Sequence, residues 1–185
     1  SKIGGAVPAS MLGLQSLPIK VAAVLQQRLA QLSPAAAQLM QLAAVIGRAY
    51  TFDLLAHLCE QGEDVMVDAL DEAWQRRIIR EQGINAYDFT HDKLRTVAYA
   101  QISPVRRRYL HKRVATILAS QQAGPTDDLY ARIAHHFVEA GDRVQAADYY
   151  RRAVDIASRR YAIESLLSAS TQALALYQQL DPDMR

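Results

Sequence analysis

The fold is decided by the stretch RIIREQGINAYDF, residues 77–89, where the spacing of apolar residues changes from a helical period to a strand period. Ile78 and Ile79 precede a turn around Gly83, and an aromatic run that ends at Phe89 follows this turn. Short apolar runs of strand type on either side of a glycine-containing turn are typical of a β-hairpin. The stretch therefore predicts two strands in a chain whose other segments are patterned as helices.

Apolar residues at helical spacing predict four helices before this hairpin. Their expected ranges are 19–32, 34–46, 52–60 and 63–77. Ser33 and Thr51 are suited to cap two of them, and Gly47 and Gly62 are suited to end two of them. The residues of the fourth helix expected to face inward are Val65, Met66, Ala69, Leu70, Ala73 and Trp74. Two or three helices followed by a hairpin is the order of a winged helix, with residues 78–89 as the wing.

The chain after the hairpin is patterned as helices throughout. The expected ranges are 91–102, 103–120, 128–140, 143–158 and 161–180. The stretch QQAGPTDD, residues 121–128, is rich in glycine, proline and polar residues and is the strongest candidate for a domain boundary. We therefore expect a mainly α fold with one short β-hairpin, in which a winged-helix-type domain and its flanking helices occupy residues 18–121. An antiparallel helical domain would occupy residues 127–180, and residues 1–17 are interpreted as a linker or a cloning-derived end.

The last third of the chain carries residues at the fixed offsets of a tetratricopeptide repeat. The matching positions are Tyr130, Ile133, Ala134, Phe137, Ala146, Tyr150 and Ala153. In this consensus, large side chains of one helix pack on small side chains of its partner. An ordinary helical hairpin is the alternative interpretation. A single repeat cannot bury its outer face alone, so a repeat would imply that more repeats follow in a larger parent protein.

A histidine and an aspartate, His91 and Asp92, lie between the second strand of the hairpin and the helix that follows it. Thr90 or Asp92 can cap this helix by accepting hydrogen bonds from the free N–H groups of its first turn. The same helix start, with His91 beside it, can instead hold an anion such as a phosphate. The residues alone leave both interpretations open.

The main basic run is RRRYLHKR, residues 106–113. It is expected to place four cationic side chains outside an apolar stripe that contains Tyr109 and Leu110. These cations are Arg106, Arg107, Lys112 and Arg113. A solvated helix face is one interpretation, and contact with phosphate or with an acidic neighbouring domain is the other.

Composition and motifs exclude several classes of function. The chain contains no Gly-Lys pair, so it has no phosphate-binding loop of its own. The lone Cys59 excludes an internal disulfide and a cysteine-based zinc site, and we expect it to pack in the core of a reduced, cytoplasmic protein. His135 and His136 are adjacent on a helix, so one should be buried and the other exposed, and they cannot chelate one ion well. No apolar run approaches the length of a membrane span. We expect no catalysis and no metal site.

DNA binding is the function that a winged helix would usually suggest, and the sequence argues against it here. The fourth helix, at 63–77, would enter the major groove, but five of its residues are acidic. Carboxylates repel the phosphate backbone, and the net charge of the chain is only +2. The first alternative function is nevertheless a free-standing winged-helix DNA-binding regulator with a helical dimerisation arm. The second is the sensor arm of a cyclase or kinase.

Two long stretches carry a resemblance to a known family. The stretch LPIKVAAVLQQRLAQLSPAAAQLMQLAAVIGRAYTFDLL, residues 17–55, resembles the start of the winged-helix region that follows the nucleotide-binding domain in STAND-class (AAA/NB-ARC-type) signal-transduction ATPases. The stretch YDFTHDKLRTVAYAQISPVRRRYLHKRVATIL, residues 87–118, resembles the end of that region. The repeat residues resemble the helical sensor arm of such proteins. The resemblance covers about residues 17–180 and matches the layout of large bacterial transcriptional activators.

The resemblance implies a role for the histidine at the end of the hairpin. THD, residues 90–92, is similar to the MHD motif of the family, with Thr90 in place of the methionine. His91 would then reach the β-phosphate of ADP bound in the neighbouring ATPase domain and hold the resting state, with Asp92 as the acid that follows. The resemblance also implies that this chain is a non-catalytic fragment without a cofactor of its own. The larger parent protein would bind ATP and ADP. Its implied partners are the upstream ATPase domain and a protein or small-molecule inducer on the repeats.

Overall fold

Helices make up most of the chain, and the strands that the structure describes lie in its first half. The structure is a computed structural model, and it describes residues 19–48, 50–121, 126–159 and 163–179. The predicted linker at 1–17 lies outside these residues. Two compact units are present, residues 1–103 and residues 104–185. Within the described ranges, no helix combines the length and the apolar character needed to cross a membrane.

The first unit consists of five helices and three strands in its described part. In chain order they are α1 (Ile19–Ala30), α2 (Pro34–Ile46), β1 (Tyr50–Thr51), α3 (Phe52–Leu58), α4 (Glu63–Gln75), β2 (Ile79–Glu81), β3 (Ala86–Phe89) and α5 (Asp92–Ala100). The predicted caps are confirmed, because the hydroxyl of Ser33 accepts from the N–H of Ala36 at 3.2 Å, and that of Thr51 accepts from the N–H of Leu54 at 3.3 Å. Local signals therefore set the start of α2 and of α3.

The strands form an antiparallel sheet in the order β1–β3–β2. Ile79 is paired with Phe89 across the predicted hairpin, and the turn between these strands uses Gly83 at φ +84°. The sequence predicted only this hairpin, and the third strand, β1, is a correction. In that strand Tyr50 pairs with Tyr87. Two residues are too few to show a strand period, so only the long-range pairing reveals β1.

The core of the first unit lies between the sheet, α2 and the inner faces of α4 and α5. Tyr50 is fully buried there, and its ring centroid lies 6.4 Å from those of both Tyr87 and Phe89. The prediction that Val65 and Trp74 face inward is wrong, because their exposed fractions are 39% and 60%. The buried face of α4 consists of Met66, Ala69, Leu70 and Ala73. Cys59 is half-buried and not in the core.

The second unit consists of four helices in its described part. They are α6 (Pro104–Ser120), α7 (Asp127–Ala140), α8 (Arg143–Arg159) and α9 (Ile163–Gln179). Each helix packs on the next one along the chain, so α6 lies against α7. The sequence instead placed residues 104–120 with the first domain and drew the boundary at 121–128. The division falls before Pro104 because the apolar face of α6, with Leu110, Val114 and Leu118, is buried in the second unit.

The seven repeat positions lie at the crossing of α7 and α8. Six of them are buried, and Tyr130 is half-buried. The buried ones are Ile133, Ala134, Phe137, Ala146, Tyr150 and Ala153. Gly141, in the left-handed region at φ +86°, turns the chain between the two helices. Phe137 stacks on Tyr149 with the ring centroids 5.5 Å apart, while the small Ala134 and Ala146 are fully buried and allow close approach of the helices.

Candidate functional site

The junction between β3 and α5 holds the histidine that the sequence singled out. His91 is the residue immediately before α5, and its backbone is extended, with φ −143° and ψ 135°. The side chain of His91 is exposed and makes no capping hydrogen bond to the helix. The imidazole therefore lies at the positive end of the helix dipole and does not cap the first turn of α5.

The capping interpretation of Thr90 is wrong, because its hydroxyl points away from α5. This hydroxyl donates to the carbonyl oxygens of Arg77 at 2.9 Å and Ile78 at 3.2 Å. The N–H of Thr90 also donates to the carbonyl of Ile78, at 3.0 Å. These bonds fix the junction to the segment that connects α4 to β2, so Thr90 positions the residue that follows it.

The carboxylate of Asp92 forms an ion pair with the guanidinium of Arg48, which lies between α2 and β1. Both side chains are largely exposed, so this pair contributes no more than about 1 kcal/mol to stability. Lys93 is exposed in the same first turn. Two cations, one carboxylate and one imidazole therefore surround the start of α5. No motif in the sequence marks Arg48, because its partner is 44 residues away.

The connection between α4 and β2 is anchored from α1 as well. The guanidinium of Arg28 donates to the carbonyl oxygens of Arg76 and Arg77, each at 3.1 Å. Arg77 has a positive φ of 54°, so the chain leaves α4 by a sharp turn at this point. The contact of Thr90 with Arg77 therefore links the His91 junction to the C-terminal end of α4 and to α1.

A groove of about 280 Å³ lies between α7, α8 and α9 in the second unit. Its lining includes Asp127, Asp128, Tyr150, Ala153, Ser168 and Gln172. Burial, with a smaller effect of Glu139, raises the pKa of Tyr150 to about 12, so this phenol stays protonated at neutral pH. The exposed carboxylate of Asp128, with neutral polar groups over a partly apolar floor, suits a polar ligand that carries positive charge. The family resemblance implied an inducer on these helices but did not identify Asp127 or Gln172.

The basic run lies along α6, with a different arrangement from the predicted one. Lys112 and Arg106 are exposed, and Arg107 and Arg113 are half-buried. Tyr109 is 53% exposed, so the prediction of an apolar stripe containing Tyr109 and Leu110 is wrong for the tyrosine. The guanidinium of Arg113 lies 5.6 Å from the centroid of the Tyr109 ring. The outer face of α6 is therefore both aromatic and basic.

Two histidines meet in the interior of the second unit. The Nδ1 atoms of His111 on α6 and His136 on α7 are 2.9 Å apart, and both residues are buried. Burial and nearby cations lower the pKa of both, so both are neutral at pH 7, and one Nδ1 donates to the other. His135 is exposed, which confirms the expected division between the adjacent histidines. Among the described residues, no three histidine, cysteine or acidic side chains form a group that could hold a metal ion.

The chain has no match among the family models, the curated proteins or the solved structures with which it was compared. Three features of the described residues bear on function. These are the β3–α5 junction, the groove of the second unit and the outer face of α6.

Proposed function

We propose that this chain is a non-catalytic regulatory and protein-interaction segment of a larger STAND-type signal-transduction ATPase, in a transcriptional activator. In this proposal the first unit is a winged helix with β2 and β3 as its wing, and the second unit contains a tetratricopeptide-like repeat. The observation that carries the proposal is the exposed imidazole of His91 at the start of α5, which makes no capping bond.

The surroundings of His91 suit a phosphate group of a nucleotide held by a neighbouring domain. A helix N-terminus attracts anions, and Arg48 and Lys93 add two positive charges against the single negative charge of Asp92. Thr90 is bonded to the end of α4, so the position of the imidazole depends on the position of that helix. A contact made in only one state shifts the balance toward that state, so a phosphate on His91 stabilises the resting form.

The groove between α7, α8 and α9 is where we place the inducer in this proposal. The exposed carboxylate of Asp128 and the neutral hydroxyl and amide groups of the groove would contact a protein segment or small molecule that carries positive charge. Binding there would act on the helical arm, while the nucleotide acts on the first unit. The activity of the protein would thus depend on both the bound nucleotide and the inducer, and this segment would catalyse no reaction.

In the parent protein, His91→Ala is expected to speed ADP release and to raise activity without inducer, because the phosphate loses a contact made in the resting state. The ADP off-rate and the melting temperature are measured together on the ATPase-containing chain. His57→Ala is the matched control, since His57 is also an exposed histidine of the first unit. A lower melting temperature with an unchanged off-rate would leave His91 with a structural role only. The 185-residue chain alone is expected to bind ADP weakly, because one helix end cannot enclose a nucleotide.

The alternative function, a free-standing DNA-binding regulator, predicts a different result with nucleic acid. We expect only weak and sequence-independent binding in an electrophoretic shift at physiological salt, because Asp64, Asp68 and Asp71 are exposed on α4. An Asp68→Asn/Asp71→Asn variant should bind random duplex DNA more tightly than the wild type. Sub-micromolar, sequence-selective binding by the wild type through α4 would favour the alternative.

A further inference from the structure

The groove between α7, α8 and α9 has a floor of small side chains. Each of the three helices contributes one alanine to it, Ala131, Ala153 and Ala169. Because these side chains end at Cβ, they leave a space of about 280 Å³ between the helices. This volume is below the range of about 300–1,000 Å³ for sites that enclose a drug-sized molecule. The groove therefore has room for one long side chain, and the backbone that carries this side chain remains outside.

Tyr150 places a buried polar group at this groove. The residue is only 3% exposed, and its hydroxyl has no hydrogen-bond partner within the described residues. Glu139 contributes to the raised pKa of this phenol, so the hydroxyl lies in a negative electrostatic potential. A neutral phenol oxygen can accept a hydrogen bond, and a buried polar group without a partner can gain one from a ligand.

The other polar groups of the groove supply acceptors. Asp128 is exposed and forms no ion pair in the part of the chain that the structure describes. The Nε2 of Gln172 donates to the hydroxyl of Ser168 at 3.5 Å, which leaves the side-chain carbonyl oxygen of Gln172 to accept. A positively charged group that only donates hydrogen bonds matches this lining.

We infer that this groove binds the side chain of a single arginine in a segment of a partner protein, with the guanidinium at Asp128 and the aliphatic stem on the alanine floor. The inference rests on the proposed function, in which the groove receives the inducer. A guanidinium is permanently charged and has five N–H donors and no acceptor. Five donors suit three separate acceptors, on Asp128, Tyr150 and Gln172, better than the three donors of a lysine ammonium do.

The lining also distinguishes an arginine of a protein segment from free arginine. Among the described residues that line the groove, none is lysine or arginine. The α-carboxylate of free arginine therefore finds no cation there, whereas an arginine within a protein segment carries no such charge.

The test measures amide chemical shifts of the isotope-labelled 185-residue chain during titration with N-acetyl-L-arginine N′-methylamide. The amides of Ala153 and Ala169 should shift, with a dissociation constant on the order of 1 mM for so small a ligand. The corresponding citrulline derivative has nearly the same shape but no charge, and it should bind at least about tenfold more weakly. The lysine derivative and free L-arginine should also bind more weakly than the capped arginine.

Two nearly isosteric substitutions test the residues of the groove. Asp128→Asn should weaken binding of the capped arginine by about tenfold, and Tyr150→Phe by about threefold, because each removes one contact to the guanidinium. Asp53→Asn is the matched control, since Asp53 is also an exposed aspartate in the first turn of a helix. This control should bind like the wild type, and circular dichroism checks that all variants remain folded.

The inference is overturned if capped arginine gives no saturable shifts, or if its shifts lie outside the groove. Equal binding of the citrulline or lysine derivative would show that the guanidinium is not recognised, and tighter binding of free arginine would show that the ligand is not a protein segment. Unchanged binding by Asp128→Asn would likewise contradict the assignment. None of these results changes the effect of His91→Ala on ADP release, so a failure here is distinguishable from a failure of the proposed function.

Discussion

Tyr50→Ala is expected to lower the free energy of unfolding of the first unit by about 3–5 kcal/mol, the range for removing a large buried aromatic side chain. Tyr50 has no exposed surface, and its ring contacts those of Tyr87 and Phe89 on the adjacent strand. The strand β1 has only two residues, so its backbone bonds cannot hold it in place once this side chain is lost. Urea denaturation followed by far-ultraviolet circular dichroism measures the change.

Tyr50→Phe is the control for this substitution and should not lower the free energy of unfolding. The hydroxyl of Tyr50 is buried and has no hydrogen-bond partner within the described residues. Burial raises the pKa of this phenol, so the hydroxyl stays protonated. The O–H group loses its hydrogen bonds to water on folding, and no hydrogen bond within the described residues replaces them. Removing the hydroxyl should leave stability unchanged or raise it by about 1 kcal/mol. A phenylalanine variant as unstable as the alanine variant would show that the hydroxyl is bonded.

The second unit is expected to lose about 2–3 kcal/mol of stability between pH 7 and pH 5.5 through His111 and His136. Burial lowers the pKa of both in the folded state, and the charged or titratable groups that face them are Arg107 on α6 and Arg132 and His135 on α7. Their unfolded pKa is about 6.5, so below that value the unfolded chain binds protons that the folded unit does not. Their contribution is therefore fully present above about pH 6.5 and is lost as the pH falls below it.

The free energy of unfolding, measured in urea at several pH values, checks this dependence. The double variant His111→Asn/His136→Asn should show a shallower slope than the wild type in this range, since asparagine does not titrate. His135→Gln, which replaces the exposed neighbour of His136 and leaves the buried pair in place, is the matched control for a histidine substitution on α7. Comparing slopes removes the contribution of carboxylates, which are the same in all three proteins. Parallel curves for the wild type and the double variant would contradict the assignment.

The features that the sequence predicted correctly have strong local causes. Ser33 and Thr51 accept the expected N–H groups, and Gly83 provides the positive φ of the hairpin turn. The predicted helix ends agree with the structure to within about two residues because caps, prolines and glycines act on the chain next to them. Phe137 is buried at the expected offset from Ala146, since one helical period fixes which residues share a face.

The features that the sequence missed depend on contacts between distant residues. Apolar residues occur on both the buried and the exposed side of α4. The spacing of apolar residues therefore could not show that Trp74 lies on the exposed side. Arg48 and Asp92 meet only after β1 has paired with β3, and no motif marks the arginine. His111 and His136 belong to different helices, and each alone resembles an ordinary core or surface histidine. The candidate site was thus predictable at His91 but not in its surroundings.

The assignment of α6 to the second unit determines where the chain can be divided for separate expression. A fragment that ends at residue 121, as the glycine- and proline-rich stretch suggests, would carry α6 without the helix that covers it. Leu110, His111 and Val114 would then face water, and such a fragment would be prone to aggregation. Cutting between Ser103 and Pro104 keeps these side chains inside one product. Isotope labelling or ligand screening of either half should therefore start from this division.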